Sequence, residues 1–189
     1  MRYNHICHYN RRLRTMSGPE GSSIKNYRLC VMAFILEEIT MNDEEYMKIA
    51  YQEALKALQE DEVPIGAIIV KDNQIITKSY NQRENKNQAT AHAELSAIQK
   101  ACDLLGSWRL DDCILYTTLE PCLMCSGAII QSRIKKVVYG ASSDKWISLN
   151  KLLSLPKSNF NHIPEIQGGI LEEECTNLIK NYFKEKRSY

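Results

Sequence analysis

From Asn42 onward the chain changes its apolar period repeatedly, and that alternation leaves few folds open. Met47, Ala50, Ala54, Ala57 and Leu58 fall on one face of a helix. Asn42 is placed to cap that helix, with Glu45 three residues on as the returning partner of a capping box. Two β-branched runs follow, IGAIIV at 65–70 and QIITKSY at 74–80, joined through KDN as in a hairpin. HAELSAIQKACDLLG (92–106) reads as an amphipathic helix closed by Gly106. CILYTT (113–118) reads as a strand, CLMCSGAIIQS (122–132) as a helix behind Pro121, and KKVVYG (135–140) as a further strand. EIQGGIL (165–171) is a short fifth strand and 171–186 a final helix. Strands interleaved with helices predict an α/β layer fold, with a largely parallel sheet and an antiparallel hairpin at one end.

The chain of 189 residues is long enough for one domain with a core of its own. A hydrophobic fraction of 44% with 25% charged residues fits a globular protein. The formal net charge of +1 does not mark a nucleic-acid binder. Positive charge is nevertheless concentrated before residue 41 and in the last ten residues, KNYFKEKRSY. Seven scattered cysteines, an odd number, argue against a disulfide framework and for a reducing, cytoplasmic compartment. CVMAFIL at 30–36 is too short to span a bilayer, and no other run is long enough. Residues 1–40 lack clean periodicity, carry SGPEGSS at 17–23, and are expected to be a disordered or non-native extension.

Cys122 and Cys125 stand three apart at a predicted helix start, a spacing used both in redox centres and in half of a zinc site. His92 opens the other helix that follows a strand, and Glu94 lies two residues beyond it. Helices that start at the carboxyl ends of parallel strands gather their N-termini along one sheet edge, so His92, Cys122 and Cys125 are expected to converge. One nitrogen and two sulfurs suit Zn²⁺, and a fourth position left open marks a catalytic site. Zinc lowers the pKa of a bound water to ~7. Glu94 is expected to handle protons rather than to ligate. His-x-Glu followed by Pro-Cys-x-x-Cys is the signature of zinc-dependent nucleobase deaminases. His5, His8 and His162 do not have metal spacing.

Beyond that signature, the stretches EVPIGAIIV, YNQRE, TAHAE, LGSWRL, TLEPCLMCSGAII, SRIKKVVYGA, NFNH and GGILEEEC resemble the bacterial tRNA-specific adenosine deaminases, over residues 42 to 187. The resemblance implies a three-layer α/β/α, cytidine deaminase-like fold with a mixed five-stranded sheet, formed by residues 41–189. It implies one Zn²⁺ per subunit on His92, Cys122 and Cys125, Glu94 as proton shuttle, Asn81 on the substrate, and a homodimer. The reaction implied is hydrolytic deamination of adenosine to inosine at the wobble position of a tRNA anticodon stem-loop. Lys180, Lys184, Lys186 and Arg187 would then lie along phosphates or form a solvated face. The run after VVYGA, with Ser142, Ser143 and Asp144, departs from the family's glycine-containing loop, and Ile163 stands where a basic residue is common. Trp108 and Arg109 are expected to pack the helix–strand connection. The alternative is a zinc deaminase of a free nucleobase, nucleoside or nucleotide, with the same metal chemistry. A catalytically silent RNA-binding subunit is disfavoured by the presence of Glu94.

Overall fold

The computed structural model describes residues 41–143 and 147–187. The expectation for residues 1–40, and Asp144 in the departing loop, lie outside the described residues. In chain order the elements are α1 (Asp43–Gln59), β1 (Gly66–Lys71), β2 (Gln74–Tyr80), α2 (Arg83–Lys86), α3 (Ala93–Leu105), β3 (Cys113–Leu119), α4 (Leu123–Gln131), β4 (Lys136–Ala141), α5 (Leu149–Leu153), β5 (Glu165–Gln167) and α6 (Glu172–Lys186). A single 3₁₀ turn, Lys157–Asn159, lies between α5 and β5.

The strands form one mixed sheet in the order β2-β1-β3-β4-β5. β1 pairs antiparallel with both β2 and β3, while β3–β4 and β4–β5 are parallel. The sheet is therefore evenly mixed rather than largely parallel, because β1 is interposed between β2 and β3. The consequence for function is unchanged: β2, β3 and β4 all run the same way, so their carboxyl ends share one edge. Asp72 and Asn73 make the β1–β2 turn with positive φ at both positions, 49° and 60°, as a tight hairpin with the twist of its strands requires.

Both faces of the sheet are covered, which is why β1 is buried along its length instead of alternating. On one face Tyr46, Met47 and Ala50 of α1 meet Ile68, Val70, Tyr116 and Val138. On the other, Ala97, Ile98 and Ala101 of α3 and Ile129 of α4 meet Ala67, Ile69, Leu115 and Val137. Successive residues of one strand thus serve opposite layers, giving the expected three-layer α/β/α order. Gly66 and Gly140 allow two close approaches. A Cβ at Gly66 would run into the backbone of Ala50 and Ala54 in α1, and one at Gly140 into Cys175 of α6.

The capping box forms as expected: Asn42 Oδ1 accepts from the Glu45 amide at 2.9 Å, and Glu45 Oε2 from the Asn42 amide at 2.8 Å. The first turn of α1 is also tied to the sheet. Asp43 accepts from the Tyr116 hydroxyl at 2.6 Å and from Lys136 Nζ at 2.9 Å. Burial pushes the Asp43 carboxyl up, but those two donors outweigh it and hold the carboxyl below its ordinary value of 3.8. A depressed carboxyl contributes stability that is fully present above the unfolded value and is lost as pH falls through the folded one. Asp43→Asn should therefore cost about 1–3 kcal/mol at pH 7. In thermal melts its deficit against the parent should shrink between pH 4 and pH 2; an equal deficit at both would show that the charge is not what stabilises.

Three expectations are corrected. Trp108 does not pack the helix–strand connection: it is 61% exposed, with Arg109 stacked over its ring at 5.4 Å, and Leu110 is the buried member at 1%. Arg109 pairs with Asp111 instead, at 2.7 Å. β5 ends at Gln167, because Gly168 sits against the Tyr139 ring and Gly169 takes φ of 84°.

Candidate active site at the carboxyl edge of the sheet

Two strand ends supply the site. After β2 the chain reaches His92, which is the N-cap of α3; after β3 it reaches Cys122, the N-cap of α4. Neither side chain caps its own helix, so both point elsewhere. Cys125 lies in the first turn of α4 and is fully buried. The three donors converge: Cys122 Sγ to Cys125 Sγ is 3.6 Å, Cys125 Sγ to His92 Nδ1 is 3.6 Å and Cys122 Sγ to His92 Nδ1 is 3.8 Å. Tetrahedral coordination with ordinary Zn–S and Zn–N bonds sets donors apart by about 3.8 Å for two sulfurs and about 3.6 Å for sulfur and nitrogen. The observed triangle agrees within ~0.2 Å, the tolerance expected of a metal site. Among the described residues this is the one cluster of three side chains able to hold a metal ion.

The sulfurs are too far apart for a disulfide, whose S–S bond is about 2.05 Å. All five cysteines among the described residues are free. The Cys122 thiol is pulled down to about 4, first by the hydrogen bond from the Cys125 thiol and then by His92, against the opposing effect of burial. The helix N-terminus favours the same thiolate. Cys125 is pushed up, first by its bond to Cys122 and then by burial. The three groups share one pocket, and a metal bound there would displace any proton left on the two sulfurs.

Glu94 lies in the first turn of α3 and is 3% exposed. Burial pushes its carboxyl up. Its Oε2 is buried and has no hydrogen-bond partner. A buried oxygen without a partner costs stability. Asn81, at the end of β2, is 4% exposed. The next residue, Gln82, donates its amide to the carbonyl of Ala91 at 3.0 Å, which brings the end of β2 beside the start of α3.

A family model of MafB19-like deaminases matches residues 41–187. The tRNA-specific adenosine deaminase of Bacillus subtilis (strain 168) is 47% identical over 146 residues, which are 77% of this chain and 91% of that protein. The chain belongs to the tRNA-specific adenosine deaminase family. A solved tRNA:A34 deaminase of A-to-I editing at the wobble position is similar to this deaminase with a TM-score of 0.66 at 40% identity, over 70% of this chain and 97% of its own. A guanine deaminase from Bacillus subtilis is also similar, with a TM-score of 0.53 at 36% identity, over 79% of this chain and 96% of its own.

Two carboxylates of the deaminase were not legible as site residues. Glu120, between β3 and Pro121, is 4% exposed. Its Oε2 accepts from the Ser143 amide and its Oε1 from the Asn150 amide, each at 3.1 Å. The departing loop is thereby fastened at 143 and at 150 to the residue two places before Cys122. Leu149 donates to the Pro121 carbonyl at 3.0 Å, and Cys122 bridges Ser148. Glu62, just past α1, is completely buried and accepts from Asn81 Nδ2 at 3.0 Å. In the sequence it is one acid of the run Glu60-Asp61-Glu62, which reads as a solvated helix end. His162 is a structural partner, in hydrogen-bond contact with the Ile134 carbonyl at 2.7 Å. Lys186 bonds Asp61 at 2.6 Å, so that member of the basic C-terminal group is used within the fold.

Proposed function

We propose that this deaminase hydrolyses adenosine to inosine at the wobble position of a tRNA anticodon, releasing ammonia, with His92, Cys122 and Cys125 as ligands of one Zn²⁺. The observation that carries the reading is the donor triangle of 3.6, 3.6 and 3.8 Å set beside the partnerless buried Oε2 of Glu94. A zinc ion bound there supplies an activated water at neutral pH. The protein's own residues do the rest. Asn81 orients the base so that adenine C6 faces the ligand cluster. Glu94 Oε2 takes one proton of the attacking water and delivers it to ring N1 as the oxygen adds at C6; it then takes the proton left on that hydroxyl and delivers it to N6, so that the C6–N6 bond breaks, ammonia leaves and the C6 carbonyl of inosine forms. Burial raises the Glu94 carboxyl, which makes it a better acceptor of the water proton than an exposed carboxylate. An anticodon loop is already single-stranded, which lowers the cost of drawing one base into a buried pocket.

A cytoplasmic setting is part of the same reading, supported by five free cysteines and by a metal site that oxidation would destroy. No helix of the described residues is long and apolar enough to cross a membrane. A homodimer is supported by the resemblance and by Leu123 and Met124, 51% and 36% exposed on the first turn of α4 beside the ligands. Sedimentation velocity should give twice the mass of the 21.7 kDa chain, and Leu123→Asp should shift it to the monomer.

The deciding experiment offers zinc-loaded protein an anticodon stem-loop with adenosine at the wobble position, alongside free adenosine, adenine, guanine and cytosine. Mass spectrometry should find inosine in the stem-loop alone. Ammonia from a free base, with an unchanged stem-loop, would replace this reading by the small-molecule one, because the metal chemistry is common to both.

A further inference from the structure

We infer that Glu62 is a positioning residue that fixes which end of the Asn81 amide faces the substrate; the inference rests on the reading of Asn81 as the substrate contact. Glu62 is a carboxylate with no exposed surface, held by structure on every side. Its amide donates to the Ala57 carbonyl at 2.9 Å, closing α1 through Asp61, whose φ is 61°. The Asp61 carbonyl accepts from the Tyr182 hydroxyl of α6 at 3.0 Å. Side chain and backbone are thus pinned before any ligand arrives. The two oxygens have separate partners. Oε1 accepts from the Asn85 amide in α2 at 2.7 Å, and Oε2 accepts from Asn81 Nδ2 at 3.0 Å.

An asparagine amide has one donor end and one acceptor end, and nothing in its shape tells them apart. Its partner decides. The carboxylate receives, so Nδ2 turns to Glu62, and the reversed amide would lose that bond and set Oδ1 against Oε2. Oδ1 and the second Nδ2 proton are then presented in one fixed order to whatever occupies the pocket. A site that hydrogen-bonds the edge of a base discriminates by matching donors to acceptors, and a buried mismatch is what rejects the wrong base. The backbone of Asn81 is fixed too, its amide donating to the Ile65 carbonyl at 2.9 Å. Glu62 therefore preorganises the Asn81 side chain and sets the flip of its amide.

The test is a double-mutant cycle on zinc-loaded protein with the anticodon stem-loop as substrate, with metal content and melting temperature measured for each variant. Glu62→Gln keeps the shape but offers either end of an amide, so Asn81 is free to reverse. In the parent background it should lower kcat/KM about 10-fold or more, the scale of a charge-assisted hydrogen bond. In an Asn81→Ala background the same change should lower kcat/KM less than about 2-fold, since Glu62 then has nothing to orient. Metal content should be unchanged throughout. Glu62→Met, of similar volume, repeats the cycle if the glutamine variant is poorly folded. An Asn81→Ala protein with parental kcat/KM would overturn the Asn81 reading and this inference with it. A loss in Asn81→Ala combined with a Glu62→Gln effect that is absent, or equal in both backgrounds, would overturn the role of Glu62 alone.

Discussion

Glu94→Ala should abolish turnover of the stem-loop, by about 10³-fold or more, while the protein keeps its metal and melts no lower than the parent. Both halves follow from the same oxygen. General acid–base catalysis is worth about 10²–10⁴-fold, and the alanine removes both the uptake of the proton and its return. Stability moves the other way because Glu94 is 3% exposed with Oε2 unpartnered. A carboxylate in that position costs free energy in the fold, and deleting it removes the penalty. Glu94→Gln makes the sharper version, being isosteric and unable to take up a proton at neutral pH. The measurements are single-turnover inosine formation, metal content and calorimetry on the same samples. Retained activity in the glutamine variant would show that the proton travels by another route. Lost metal would make Glu94 a structural support of the ligand cluster and not its proton carrier.

Much of the fold and most of the site could be read from the chain, for physical reasons that differ between elements. α1 announced itself through a side-chain cap and a one-faced apolar pattern, both local signals. His92 and Cys122 could be placed together because each begins a helix that follows a strand, and strand direction fixes which edge those helices start from. What stayed hidden depends on long-range burial. Glu62 and Glu120 are acids in polar surroundings, and sequence gives them no mark that distinguishes a buried acceptor from a solvated one. Only the fold shows that Glu62 lies 3.0 Å from Asn81 Nδ2, and that Glu120 receives backbone amides from residues 23 and 30 places further on. α2 and α5, of four and five residues, are too short to show a helical period and exist because their neighbours hold them. Trp108 misled for the opposite reason: large aromatic residues are usually inside, whereas here Leu110 fills the core and the indole is left outside with Arg109.

Removing the metal is the second large effect expected, and it should be seen in stability as well as in catalysis. The cluster of His92, Cys122 and Cys125 joins α3 to α4, whose N-termini are otherwise uncapped by side chains at His92 and Cys122. A ligand present at about 1,000 times its dissociation constant stabilises the native state by about 4 kcal/mol. For a domain of this size each kcal/mol shifts the melting temperature by about 2–4 °C. Chelation should therefore lower the melting temperature by roughly 8–16 °C, and re-addition of Zn²⁺ should restore it. Cys125→Ser should reproduce the chelated state and be insensitive to added zinc, since Cys125 is the buried member of the three-donor cluster and, among the described residues, no other side chain joins it. Thiol reductant should change neither, because the sulfurs of Cys122 and Cys125 stand 3.6 Å apart as free thiols and not as a bond. A redox pair would respond in the reverse order, shifting with reductant and ignoring the chelator. Metal-free protein that deaminates the stem-loop at the parental rate would remove the zinc reading altogether, whatever its melting temperature.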